Sequence, residues 1–470
     1  MIHKDVAVYF VVRYAGEDLM GAMIISSMLK QRGINVEMIS ADEDIERKLV
    51  FDKSVILAYS ATTVTVDHYL KLNARLKRKY NFLSVFGGPH PTARPEMIEK
   101  EGVDVVCIGE GEEAFVELVE FYRSGSPIHS IRNLWVKQSG TIFKNSLRPL
   151  INDLDTLPFP DRDLFSGQSL FDSEKLYVMT GRGCPYSCSF CFNPYLNELY
   201  AGQNKDIRKR SVSNVLKEIL DCRKKRPIKF VIFNDDIFTL PLEWFREFSR
   251  EYRKKIALPF FCNIHIDCVT PEVASLLSEA GCFSVNFGLE AADDDTRQGI
   301  LKKNISRGHI LEGIRLLKQY KIRVKTSNII GVLGIPLEKD IDTIRMNAQC
   351  KVDYASVAIL AAYPNTNIAK IFKEEVSGGL LYPGMETNAG KRVLQNLRCL
   401  FAVGVAFPLL LPLISVAVRW PLGFLYRWLY LLWEGYCAYF RLYPSGLRSF
   451  CRGLKKYLWI WRSQPLTPGL

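Results

Sequence analysis

The sequence predicts an α/β protein in three parts: a doubly wound domain, a partial β/α barrel of six strands, and a C-terminal hydrophobic helical region. Three observations predict it. Short apolar runs alternate with helix-length segments twice over, a proline-bearing stretch divides the two series, and residues 391–470 change character altogether. The expected boundaries are 1–130, a linker over 131–174, the barrel over 175–375 and the tail over 376–470. At 470 residues, 48% hydrophobic and 24% charged, the chain excludes a single small core, a disordered polymer, a collagen-like repeat and a disulfide miniprotein.

In the first part, strands are expected at Val6–Val12, Ile34–Ile39, Val55–Ser60, Phe82–Gly87 and Val103–Ile108. Between the first two, Gly21, Ile24, Ile25, Met28 and Leu29 recur at helical spacing and predict one face packed on the sheet. The turns that follow the strands gather Ser60, Thr62, Gly87, Gly88 and Gly109 at the carboxyl edge, where ligands of parallel sheets bind. No G-x-G-x-x-G follows the first strand, which disfavours a dinucleotide.

Leu154-Asp155-Thr156-Leu157-Pro158-Phe159-Pro160 resists helix formation because its prolines impose an extended path. Six further strands are then expected at Leu176–Thr180, Phe230–Phe233, Pro259–Ile264, Phe283–Gly288, Val324–Ile330 and Tyr354–Leu360. Directly after the first of these comes Gly183-Cys184-Pro185-Tyr186-Ser187-Cys188-Ser189-Phe190-Cys191. Its C-x3-C-x2-C spacing lets three thiolates converge. Structural zinc usually takes four ligands, whereas three cysteines leave one corner of an iron-sulfur cubane open.

This segment resembles the radical S-adenosylmethionine (SAM) superfamily over residues 176–370. The resemblance implies that Cys184, Cys188 and Cys191 hold a 4Fe-4S cluster whose open iron chelates SAM, so that one electron releases a 5'-deoxyadenosyl radical. It further implies that Phe190 packs beside the adenine. Asp235 and Asp236, within Asn234-Asp235-Asp236, would accept from the SAM ammonium, and Glu290 from its ribose. Lys303 would pair with the SAM carboxylate, and Gly331 and Gly334 would border the adenine. An external one-electron donor such as a flavodoxin or ferredoxin, and anaerobic chemistry, follow.

Gly87-Gly88-Pro89-His90-Pro91-Thr92 and Gly109-Glu110-Gly111-Glu112 ahead of such a barrel resemble the cobalamin-binding radical SAM subclass, over about residues 1–375. That resemblance assigns cobalamin to Ser60, Thr62, Gly87, Gly88 and Gly109. The axial-histidine motif D-x-H-x-x-G is absent from Arg13-Tyr14-Ala15-Gly16-Glu17-Asp18. His90 is the nearest alternative by position, with loop structure its expected role.

Residues 391–470 carry eleven Lys and Arg against one acid, Glu434, and five of the seven Trp. A basic, Trp-rich segment suits a lipid interface better than nucleic acid. Cys399–Val418 is uncharged and long enough to span a bilayer, yet Pro408 and Pro412 interrupt it, so interfacial helices are expected. The alternative is a helical cap burying the same residues against the barrel. The seven-residue apolar run after His3, Lys4 and Asp5 is too short and too acidic in its flanks to read as a secretory signal, so a cytosolic protein is expected, and twelve Cys then favour reactive or metal-bound thiols over disulfides. The expected function is C-methylation or carbon-skeleton modification of a hydrophobic, lipid or isoprenoid substrate at the cytoplasmic face of a membrane. Oxidative cyclisation of a porphyrin-like compound and a zinc-binding membrane adaptor are the alternatives.

Overall fold

The computed structural model describes residues 5–13, 19–41, 45–49, 54–165, 174–202, 207–372 and 387–442. The described chain forms two compact units, the first built mainly from residues 1–172 with the short segment Leu196–Asn204.

The first unit centres on a sheet of seven strands: β1 (Val6–Val12), β2 (Asn35–Ser40), β3 (Ser54–Ser60), β4 (Leu83–Gly87), β5 (Val105–Cys107), β6 (Leu134–Gln138) and β7 (Thr141–Lys144). Their order is β2-β1-β3-β4-β5-β6-β7, parallel through β5 and antiparallel beyond it. Every residue of β1 is buried, as a central strand covered on both faces requires. Chain order reverses between β1 and β3, the switch point at which such sheets open a crevice.

Two expectations need correction. The linker assigned to 131–174 begins with β6 and β7, which extend the first sheet because their backbone groups pair with the open edge of β5. Its proline stretch is docked rather than loose: Asp161 N–H donates to Met23 O at 3.0 Å, and Ser26 Oγ donates to Asp161 Oδ2 at 2.6 Å. Helix Met20–Lys30 forms as expected but buries Met20, Ala22, Met23, Ser26 and Leu29, with Gly21 exposed and Ile24, Ile25 and Met28 only partly covered. The polar contact at Ser26 turns the helix away from its most apolar stripe.

The second unit is a six-stranded parallel sheet in the order β15-β14-β13-β12-β11-β8. Its strands are β8 (Lys175–Val178), β11 (Phe230–Phe233), β12 (Phe260–Asn263), β13 (Cys282–Glu290), β14 (Arg323–Ile330) and β15 (Tyr354–Ile359). A small antiparallel pair, β9 (Gly181–Arg182) and β10 (Arg208–Lys209), lies apart from it. Helices Val212–Lys225, Pro271–Ala280 and Arg307–Gln319 start at Ser211, Thr270 and Ser306, whose hydroxyls each accept a backbone N–H of the first turn. Residues such as Phe233, Phe260, Val285 and Val324 face these helices in one core. The alternate positions Asn263, Asn286, Ser327 and Ser356 form a polar ladder across four strands.

The described part of the tail packs against the barrel, as the cap alternative expects. Leu397, Leu400 and Phe401 of helix Asn388–Ala406 join the barrel core, and the helix packs beside the edge strand β15. Helices Leu411–Ala417 and Gly423–Tyr436 fold over it. Asn396 fastens the turn between them, donating to Val418 O and Trp420 O at 2.8 and 2.9 Å. Among the described residues no helix is long and apolar enough to cross a membrane. Trp459, Trp461 and the basic residues beyond Leu442 lie outside the described residues.

Candidate active site

The cysteine loop follows β8 and β9 at the carboxyl end of the barrel sheet and is held from below by Ser189. This buried residue donates from N to Leu301 O at 3.0 Å and from Oγ to Ile300 O at 2.8 Å, while its carbonyl accepts from Ile368 N at 2.8 Å. Cys191 N donates to Cys188 O at 3.1 Å, and Asn193 N donates to Cys191 Sγ at 3.5 Å. All three cysteines stand outside any disulfide and are partly exposed, and Cys188 and Cys191 act electrostatically on Cys184. Burial pushes the Cys184 thiol up to about 12 and the Cys188 thiol up to about 11. Among the described residues no three His, Cys, Asp or Glu side chains are gathered as a single metal ion would need. The donor set suits a cluster held at three corners: three thiols outside any disulfide on one anchored loop, with backbone N–H groups already directed at the sulfurs.

Charged groups surround the loop. Asp236 acts electrostatically on Cys184 and Cys191 and takes a hydrogen bond from Asn193 Nδ2 at 3.1 Å. Its side chain is open to solvent at the rim but crowded elsewhere, and that crowding raises its pKa. Glu290 and Lys303 form a buried ion pair at 3.0 Å, and both act on Cys188. Glu290 sits at the end of β13 with φ +65°, a left-handed conformation that a non-glycine residue rarely adopts.

Asp235 has different surroundings from Asp236. Its carboxylate is buried and accepts from Thr180 N at 3.0 Å, Thr180 Oγ1 at 2.6 Å and Lys209 Nζ at 2.9 Å, tying β8 to β11. Of this acid pair it is Asp236 that acts on the cysteines of the loop. Phe190 packs against an apolar group that includes Leu301, Val332 and Leu360. Gly331 has φ +71°, and its N–H donates to the buried Asp340 Oδ2 at 3.1 Å; Gly334, at φ +79°, is open.

One residue without a sequence-based role joins this group. His265 follows β12, is 7% exposed, and stacks on Tyr186 of the cysteine loop with ring centroids 3.6 Å apart and planes 14° off parallel. Its one sequence signal is a polar ring just beyond a barrel strand.

In the first unit, Ser60, Thr62, Gly87, Gly88 and Gly109 meet at the carboxyl edge of the sheet. Ala61 N donates to Gly87 O at 2.8 Å, His90 N to Ala61 O at 3.1 Å, and Gly109 N to Thr92 Oγ1 at 3.0 Å. Gly88, at φ +103°, lets the turn pack on Ala61, whose carbonyl oxygen a Cβ would meet at 3.0 Å. Gly109 lies under Tyr200, whose hydroxyl accepts from Glu110 N at 3.2 Å. These glycines let the turns pack closely along the carboxyl edge, where ligands of parallel sheets bind. His90 is buried, its Nδ1 lies 3.1 Å from Thr63 Oγ1, and burial lowers its pKa. Residues 14–18, where the axial-histidine motif is missing, lie outside the described residues.

A parallel barrel sheet with a three-cysteine loop at its carboxyl end, preceded by a doubly wound sheet with a glycine-lined edge, defines a radical SAM protein carrying a cobalamin-type domain. Family models agree: the Radical SAM superfamily matches residues 178–346 and the B12 binding domain matches residues 7–119. The chain belongs to the cobalamin-binding radical SAM enzymes, whose cofactors are a 4Fe-4S cluster, SAM and cobalamin.

An uncharacterized methyltransferase of Pyrococcus horikoshii is 29% identical over 68% of this chain and 69% of its own length. The anaerobic magnesium-protoporphyrin IX monomethyl ester cyclase of Cereibacter sphaeroides is 26% identical over 67% of this chain, which spans about half (53%) of that protein. The solved structure of the cobalamin-dependent SAM radical enzyme OxsB, with aqua-cobalamin and SAM bound, superposes with a TM-score of 0.66. It covers 98% of this chain and 76% of its own at 14% identity, a likeness of fold.

Proposed function

We propose that this enzyme is a cobalamin-dependent radical SAM methyltransferase that modifies carbon in a hydrophobic, lipid or isoprenoid substrate at the cytoplasmic face of a membrane. The observation that carries the chemistry is the anchored cysteine loop ringed by Asp236, Glu290 and Lys303. When bound, the cofactors supply one-electron cleavage of SAM and a transferable methyl group. The residues of the chain hold and orient: Asp236 offers an acceptor to an ammonium, Glu290 to hydroxyls, and Lys303 a cation to a carboxylate. Phe190, with the Gly331–Gly334 turn, offers an apolar wall to a planar ring, and Ser60, Thr62, Gly87, Gly88 and Gly109 offer a cradle to cobalamin. The named methyltransferase relative supports transfer of a methyl group.

The hydrophobic substrate rests on the tail. Twelve of the sixteen exposed large hydrophobic residues among the described positions lie between Phe407 and Tyr436, with Leu409 94% and Phe424 67% exposed. Arg398, Arg419 and Arg427 add positive charge to this segment, a combination suited to anionic lipid headgroups.

Anaerobic incubation of the reconstituted enzyme with methyl-labelled SAM, a reductant and a membrane extract tests the reading. Labelled product, S-adenosylhomocysteine and 5'-deoxyadenosine are expected together. The named cyclase relative favours oxidative ring formation as a second reading, which predicts 5'-deoxyadenosine without label in the product.

A further inference from the structure

Among the described residues neither ring nitrogen of His265 has a hydrogen-bond partner, although the side chain is buried. Buried polar atoms in folded proteins are almost always paired, so an imidazole left with a free donor and a free acceptor points to a partner that is not protein. Its surroundings hold it for that purpose. One face lies on Tyr186, whose hydroxyl sits 3.5 Å from Cys268 Sγ. The charge of Lys303 reaches it, which places it on the Glu290–Lys303 side of the cysteine loop.

Below it, two residues back along the chain, Asn263 begins the polar ladder. Asn286 Nδ2 donates to Asn263 Oδ1 at 3.1 Å, Ser327 Oγ donates to Asn286 Oδ1 at 3.0 Å, and Ser327 and Ser356 hydroxyls are 3.5 Å apart. The ladder satisfies itself; His265 stands at its upper end unsatisfied.

We propose that His265 is a ligand-contacting residue whose imidazole edge hydrogen-bonds a hydroxyl, carbonyl or carboxylate group held at the barrel mouth, with Tyr186 fixing the plane of the ring. Such a group comes from SAM or from the polar part of the substrate. The inference rests on the functional reading above and gives it a polar requirement: the substrate or cosubstrate presents a hydrogen-bonding group at His265.

The test uses anaerobically reconstituted full-length enzyme with two variants. His265→Phe keeps an aromatic ring on Tyr186 and removes both nitrogens, and His265→Gln restores a donor and an acceptor. Iron and sulfide content, SAM dissociation constant by equilibrium dialysis, 5'-deoxyadenosine formation and label transfer to a membrane extract are measured. A rise of about tenfold or more in the SAM dissociation constant of His265→Phe, with iron retained, identifies SAM as the ligand. SAM affinity within about twofold of wild type, with label transfer down about tenfold and 5'-deoxyadenosine still formed, identifies the substrate. In either arm His265→Gln recovers part of the loss. A His265→Phe enzyme equal to an active wild type in both measurements overturns the inference alone, as does loss of iron in both variants. A wild type that binds no SAM and transfers no label overturns the functional reading and this inference with it.

Discussion

Lys303 Nζ lies 3.0 Å from Glu290 Oε1, and a Cβ added at Gly288 would fall on both of those atoms. The pair therefore exists in its present position because residue 288 has no side chain. Gly288→Ala should force Glu290 and Lys303 apart while leaving the cysteine loop intact. Iron content near wild type with SAM affinity down about tenfold is the expected result, since a tenfold change corresponds to one modest polar contact. Equal SAM affinity would show that the pair serves packing only.

Breaking the pair from one side tests its energetic role. Lys303→Met leaves Glu290 buried without a counter-charge, which costs about 3–5 kcal/mol. Denaturant unfolding of the reconstituted protein should show a lowered midpoint, and the double change Lys303→Met with Glu290→Gln should recover much of it. A Lys303→Met midpoint equal to wild type would mean that solvent reaches Glu290.

Asp340 gives a pH dependence with a definite sign. Burial raises its pKa to about 7, against the lowering effect of the Gly331 N–H. The folded state therefore holds a proton that the unfolded state has released between roughly pH 4 and pH 7, so this group's contribution falls as pH rises through that window. Asp340→Asn keeps an acceptor for Gly331 and cannot ionise. The variant should gain stability relative to wild type on going from pH 5 to pH 8, as read from urea midpoints at each pH. A gap that stays constant across that range would refute the assignment.

The cysteine loop and the first sheet belong to separate compact units, so their cofactors should be separable by mutation. Cys188→Ala is expected to abolish SAM cleavage and to lower iron, with cobalt content after reconstitution close to wild type. Gly88→Val places a branched side chain against Ala61 at positive φ and should do the reverse, lowering cobalt with iron retained. Metal analysis of the two variants checks both.

The exposed tail face predicts binding to vesicles of mixed phosphatidylcholine and phosphatidylglycerol. Leu409→Asp with Phe424→Asp should reduce co-sedimentation by about tenfold or more, because each change exchanges apolar insertion for charge repulsion. Full retention by the double variant would reject this face as the contact.

Much of this was legible in the chain itself. Alternating apolar runs located all eleven parallel strands within a few residues, because a strand buried on both faces leaves a continuous hydrophobic signature. The C-x3-C-x2-C spacing marked the loop, because three donors so close in sequence share one short segment of backbone. Tertiary structure decided the rest. It set Asp236 beside the cysteine loop and tied Asp235 to Thr180 and Lys209. It brought Lys303 to Glu290, gave β6 and β7 to the first sheet, and rotated helix Met20–Lys30 onto its Ser26 side. It also placed His265 on Tyr186 with no hydrogen-bond partner among the described residues. Local pattern determines which residues can form a strand, a helix or a ligand loop; which of their side chains meet depends on packing between segments distant in sequence, and that is settled only when the whole chain folds.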